Sequence, residues 1–239
     1  MIKQFFFFLL LIFSSCTLNQ HDMADENAFD WQGHRGCRGL LPENTIPAFL
    51  KALEYPVKTL ELDLAVSKDG ILIVSHDPYF SHHICKKPDG TPITEAEEKD
   101  HHIIELTYDQ IKAYDCGSRG NERFPDQHPI YVNKPSLEDM VNSVEAYCFH
   151  NERIKPFYNI EIKSQPAWYD SLVPPPADFV KMVLKETAAL GIQKRVCVQS
   201  FDPAVMIELN KQAPQVTNAF LVENMEGFEA NMAKLDFTP

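Results

Sequence analysis

Two histidines, three carboxylates and two cations stand at short intervals in this chain, each beside an apolar run. They lie in His34-Arg35-Gly36, Glu61-Leu62-Asp63, Ser75-His76-Asp77 and Glu161-Ile162-Lys163. Alternate residues of a strand share one face, so Glu61 and Asp63 project together, as do Glu161 and Lys163. Charges on an inward face are costly unless they are paired or hold a metal. Three carboxylates in one mouth repel one another, and a hard divalent cation relieves that repulsion. An all-oxygen donor set suits Ca²⁺ or Mg²⁺ better than Zn²⁺. The competing reading is an ion-pair network in which Glu61 pairs with Lys163. His34 and His76 are suited to general acid and base work. Arg35 offers a planar fork, and Lys163 a point charge, for a phosphate. A metal, two histidines and two cations are the groups that cleave a phosphodiester.

The elements that must position them alternate strand and helix. Strands are predicted over residues 31–34, 57–66, 71–74, 157–162, 195–199 and 216–222. Helices are predicted to start after Pro42-Glu43-Asn44-Thr45, at Ser136, at Pro176 and at Pro203. Strand–helix alternation predicts a parallel α/β barrel of the TIM (β/α)8 type, which presents its chemistry at the carboxyl ends of its strands. Only Lys68-Asp69-Gly70 separates the second and third strands. A parallel pair needs a longer crossover, so a helix is missing there. Residues 79–134, rich in Pro, Gly, Asp and His, break the rhythm. They are expected to form an insertion lobe after the third strand, over the mouth. Within it, His82, His83, His101 and His102 are expected to be solvated rather than metal-bound.

The chain has 239 residues, with 34 acidic against 22 basic and a formal net charge of −12. No basic stripe is present, so nucleic-acid binding is not expected. Residues 1–15 read as a signal segment: Lys3 leads the apolar run Phe5–Phe13, and Phe13-Ser14-Ser15-Cys16 resembles a loose bacterial lipoprotein box. Cys16 is then the lipidation site, 16–30 a flexible tether, and 31–239 the barrel domain. The expected location is extracytoplasmic, in periplasm or cell envelope, with membrane association through the lipid anchor. Export implies an oxidising compartment. Cys148 and Cys197 read as buried thiols, and Cys85 and Cys116, in one irregular region, could pair. The oligomeric state is not legible.

The segments GHRGCRGLLPENTIPAF, LELDLAVSKDGILIVSHDP, ELTYDQIKAYDCGS, NIEIKS and VQSF, in that order, resemble the glycerophosphodiester phosphodiesterase family. The resemblance implies a (β/α)8 barrel with an insertion after the strand that bears His76-Asp77. It implies that His34 and His76 are the acid/base pair. It also implies that Glu61, Asp63 and Glu161 ligate a divalent cation, and that Arg35 and Lys163 contact the phosphate. Glu43 would stand at the edge of the substrate site. The implied reaction is hydrolysis of a small glycerophosphodiester to glycerol 3-phosphate and an alcohol. Alternatives are a lysophospholipase D-like or cyclising phosphodiesterase on lipid substrates, or an inactive remnant that only binds phosphate or metal. The family's last two strand motifs do not follow the sixth strand. The expectation is therefore a barrel truncated after about that strand, with strand edges and apolar side chains uncovered.

Overall fold

A computed structural model describes residues 29–238. The apolar segment 1–15, Cys16 and the tether as far as residue 28 lie outside the described residues. The chain begins with β1 (Gln32–His34), α1 (Ile46–Ala52), β2 (Thr59–Val66) and β3 (Leu72–Val74). The next elements are α2 (Tyr108–Ile111), α3 (Leu137–His150), β4 (Phe157–Ile162), α4 (Pro176–Ala189), β5 (Val196–Ser200), α5 (Pro203–Gln212), β6 (Thr217–Phe220) and α6 (Phe228–Met232). The path β1-β2-β4-β5-β6 is parallel throughout. Among the described residues β1 and β6 do not pair with each other, so this β/α barrel sheet is open.

Local chemistry starts the helices. The side chains of Thr45, Ser136 and Asp202 accept hydrogen bonds from the first-turn N–H groups of α1, α3 and α5. Strand alternation then divides the sheet. Leu60, Leu62, Leu64, Ile160, Ile162 and Val198 pack with Phe49, Val141, Val144, Val180, Val183 and Leu209 of the helices in one core. The intervening residues face the barrel interior, where Glu61, Asp63 and Glu161 lie.

The third strand differs from expectation. β3 pairs with β2 antiparallel and lies off the barrel path. Ser67 and Gly70 close a tight turn, with the Gly70 N–H donating to the Ser67 carbonyl at 3.0 Å and Gly70 at φ +77°. So short a link reverses the chain, and no helix is missing. β6 is accordingly the fifth parallel strand, not the sixth. Glu61 and Asp63 also lie in the middle of β2 rather than at its carboxyl end, because the hairpin prolongs β2 beyond the mouth.

The hairpin is the seam between two cores. Leu64, Val66, Leu72 and Val74 pack in the main core, while Ala65 and Ile73 join Phe80, Cys85, Ile93, Ile103, Ile111, Tyr114 and Cys116 in a second. Residues 79–134 thus have an interior of their own. A disulfide between Cys85 and Cys116 crosses it, and Phe80 stacks on Tyr114 with ring centroids 3.8 Å apart. Cys148 is buried, but Cys197 is only partly so. No helix among the described residues is long and apolar enough to cross a membrane.

Candidate active site

The site begins where β1 ends. His34 stands in register with Glu61. Arg35 (φ +53°) and Gly36 (φ +77°) then turn the chain through left-handed conformations. A Cβ on Gly36 would lie 2.7 Å from the Ala48 backbone, so this turn can press on α1 only through a glycine. The turn aims the Arg35 N–H at Glu61 Oε2, 2.8 Å away. The Arg35 guanidinium sits 2.8 Å from Glu43 Oε1 and 3.3 Å from Asp63 Oδ2.

Sheet register assembles the carboxylates. Asp63 of β2 pairs with Glu161 of β4, and Glu161 with Gln199 of β5. Glu61, Asp63 and Glu161, all buried, each offer an oxygen within 4.8 Å of the others; among the described residues they are the only such metal-capable group. Asn44 Nδ2 donates to Asp63 Oδ2 at 2.8 Å and Gln199 Nε2 to Glu61 Oε1 at 3.2 Å. Burial and the Asp63 charge push the Glu61 carboxyl up to about 8, and the same causes raise Glu161. Asp63 Oδ1 is buried without a hydrogen-bond partner. Three crowded carboxylates, two of raised proton affinity and the third with an orphaned oxygen, form a hard all-oxygen donor set that fits a divalent cation.

The hairpin supplies the second histidine. The Ser75 N–H donates to the Asp63 carbonyl at 2.9 Å, which returns His76 to the level of the carboxylates. His76 Nε2 lies 3.1 Å from Lys163 Nζ, and Nδ1 lies 3.0 Å from Asp77 Oδ1. An ammonium only donates, so Nε2 accepts and the ring proton sits on Nδ1, held by Asp77. Burial opposes ionisation of Asp77, but the contacts with His76 outweigh it and hold its carboxyl below the usual range. Lys163 also reaches Glu161 Oε1 at 2.8 Å, so its carboxylate partner is Glu161 and not Glu61. His34 Nε2 is 3.7 Å from Glu61 Oε2. Burial, then Arg38 and Arg35, lower its proton affinity.

Most of these groups open into one cleft of about 1050 Å³, with Asp63 and Asn44 buried behind its lining. His34, Arg35, Glu43, Glu61, Glu161 and Lys163 line it from the barrel. Tyr79, His83, Glu98 and Arg123 line it from the lobe. Of the lobe's other histidines, His82 Nδ1 is bound to Glu98 at 2.5 Å and His101 Nδ1 to Tyr114 OH at 3.0 Å. The sequence reading passed over Asn44, Asp77 and Gln199. Asn44 shares a motif with Glu43, and Gln199 continues the inward row of a strand that was already recognised. The signal of Asn44 and Gln199 carried no charge to call attention to it, and Asp77 was read only as part of the motif around His76.

Comparison with known proteins follows the same lines. The profile of the Glycerophosphoryl diester phosphodiesterase family matches residues 34–236. The glycerophosphodiester phosphodiesterase of Bacillus subtilis is 30% identical over 198 residues, covering 80% of this chain and 58% of that protein. That of Caldanaerobacter subterraneus is 28% identical over 190 residues, covering 80% and 65%. The chain therefore spans about three fifths of the length of these relatives. The solved structure of an Oleispira antarctica phosphodiesterase, in complex with the product sn-glycerol-3-phosphate, superposes with a TM-score of 0.63. It is 19% identical, with 86% of this chain and 71% of that one covered, which speaks for the fold. On the family match over most of its length, this chain belongs to the glycerophosphoryl diester phosphodiesterase family.

Proposed function

We propose that the site hydrolyses small glycerophosphodiesters to glycerol 3-phosphate and an alcohol, with a divalent cation, Ca²⁺ or Mg²⁺, held by Glu61, Asp63 and Glu161. The observation that carries this reading is the cluster of three buried carboxylates beside a cleft that His34, His76, Arg35 and Lys163 line together with Glu61 and Glu161. A cation bound there supplies Lewis-acid polarisation of a phosphoryl oxygen.

The chain's own residues do the remainder. Arg35 and Lys163 grip the phosphate, Arg35 held in place by Glu43. One histidine takes the proton of the attacking water, or of a neighbouring substrate hydroxyl whose cyclic phosphate water then opens, and the other protonates the leaving alkoxide. Asp77 fixes the His76 ring with its proton on Nδ1, leaving the Nε2 lone pair toward the phosphate site once Lys163 turns to its anion. The relative solved with glycerol 3-phosphate supports this choice of product. For the cell, we read the chain as an exported lipoprotein anchored at Cys16. The Cys85–Cys116 disulfide supports the oxidising compartment which that reading requires.

The test is product analysis with glycerophosphocholine or glycerophosphoethanolamine, with added Ca²⁺ or Mg²⁺ and with chelator. Release of glycerol 3-phosphate that stops on chelation is the expected result. A cyclic phosphate as end product, or turnover indifferent to chelation, would reject the proposal.

A further inference from the structure

Every guanidinium near the cage has a carboxylate partner except two. Arg35 meets Glu43 and Asp63. Arg38 and Arg123, by contrast, have no carboxylate within 4.0 Å and no side-chain hydrogen bond among the described residues. They share one apolar platform instead. The Arg38 guanidinium carbon lies 5.0 Å from the Phe124 ring centroid, and that of Arg123 lies 6.0 Å from the same ring.

Their meeting is built by the backbone. Arg38 belongs to the loop between β1 and α1, whereas Arg123 and Phe124 belong to the lobe. Gln127, buried, donates from Nε2 to the Arg38 carbonyl at 2.7 Å and to the Leu41 carbonyl at 3.2 Å. The His128 N–H donates to the Leu40 carbonyl at 2.9 Å. These bonds clamp lobe to loop and hold the arginines close. Burial and the charges of Arg35 and Arg123 lower the proton affinity of Arg38, as expected for crowded cations. In a chain of net charge −12, such a cluster is not for want of acids elsewhere.

The cluster continues the catalytic mouth outward. Arg123 lines the same cleft as His34 and Glu61, and Arg38 stands behind it on the same Phe124 ring. Of the carboxylates on the outer wall, Glu98 is taken up by His82 and Lys99. Glu223 follows β6, at the far end of the sheet from β1. Planar guanidiniums without a partner are suited to a carboxylate or phosphate.

We infer that Arg38 and Arg123 form a second anion subsite, which receives a negatively charged group on the alcohol half of the diester. The inference rests on the phosphodiesterase reading and names the substrate class of that site: diesters whose alcohol carries a carboxylate or a phosphate.

Matched substrates test it. Glycerophosphoserine differs from glycerophosphoethanolamine by one carboxylate, and glycerophosphoinositol 4-phosphate differs from glycerophosphoinositol by one phosphate. We expect kcat/KM to favour the anionic member of at least one pair by about tenfold, through KM, since a charged hydrogen bond contributes on that scale. Which pair responds tells carboxylate from phosphate. In the double variant R38Q/R123Q, the ratio within the pair should fall toward one. Equal kcat/KM in both pairs, or a preference that survives in R38Q/R123Q, overturns the subsite. Calorimetric binding of the same diesters needs no turnover. Tighter binding of the anionic member without hydrolysis would keep the subsite and discard the hydrolase reading. Hydrolysis of both members at equal kcat/KM would do the reverse. Neither binding nor hydrolysis of any of the four would overturn both.

Discussion

Replacing Glu61 with Gln should make the metal-free protein more stable, although it removes part of the cage. Glu61 is 6% exposed and shares a space 4.8 Å across with the oxygens of Asp63 and Glu161. At that distance and an effective dielectric of about 20, two unit charges repel by about 3.5 kcal/mol, so the two pairs involving Glu61 amount to about 7 kcal/mol. Proton uptake limits the cost, because the Glu61 carboxyl is pushed up to about 8. The folded state thus keeps a proton that the unfolded chain releases above its ordinary value of 4.5. Metal-free stability is accordingly full below that value and is lost as pH rises through about 8. A Gln keeps the acceptor for the Arg35 N–H, now 2.8 Å from Glu61, but its amide nitrogen replaces the oxygen that accepts from Gln199 Nε2 at 3.2 Å, which offsets part of the gain. At pH 8.5 in chelator we expect E61Q to gain about 2 kcal/mol, or roughly 4–8 °C in Tm for a domain of this size. At pH 5 the gain should shrink toward zero. Wild type at a hundredfold excess of cation over Kd should gain about 2.7 kcal/mol, and E61Q much less. Scanning calorimetry with chelator, Ca²⁺ and Mg²⁺ at both pH values checks this. An E61Q protein that melts lower than wild type without metal, or that keeps the full metal shift, would refute the crowded-carboxylate argument.

Three further outcomes are expected. His34→Ala and His76→Ala should each lower turnover by roughly 10²- to 10⁴-fold with unchanged circular dichroism; near-normal turnover in either removes that histidine from the mechanism. Replacing Cys85 and Cys116 together by Ser frees a loop of sequence separation 31, which on chain entropy costs about 3–4 kcal/mol; urea unfolding should show the loss, and an unchanged midpoint would argue that the lobe is held by its apolar cluster alone. Burial and the Glu138 carboxylate push Glu186 up to about 7, so its contribution is present below the ordinary carboxylate value of 4.5 and lost as pH rises through about 7; Glu186→Gln should add roughly 1 kcal/mol at pH 8, after allowance for solvent screening, and nothing at pH 4.

The local parts of this protein were legible in its sequence because they depend on near neighbours. Alternation along residues 59–66 put Glu61 and Asp63 on one face and Leu60, Leu62 and Leu64 on the other. Thr45, Ser136 and Pro203 marked helix starts, and the bonds that cap them, to the side chains of Thr45, Ser136 and Asp202, reach only two or three positions ahead. The types of the charged residues restricted the chemistry to metal and phosphate. What joins distant segments was decided only by tertiary structure. The Asp63–Glu161 pairing depends on a sheet register between strands nearly a hundred residues apart. Lys163 reaches His76 across 87 positions only because β3 returns antiparallel along β2. No pattern within β3 states that direction; the tight turn and the pairing energy of the hairpin impose it. The same holds for Ala65 and Ile73, which belong to the lobe's core because the hairpin has two faces and each is covered by a different body. Arg38 and Arg123 lie far apart in sequence, and only the bonds between Gln127 and the loop after β1 bring their charges to one ring. Periodicity encodes which face a residue takes, but not which face it meets: that is settled by chain reversal, strand register and packing, none of which is local.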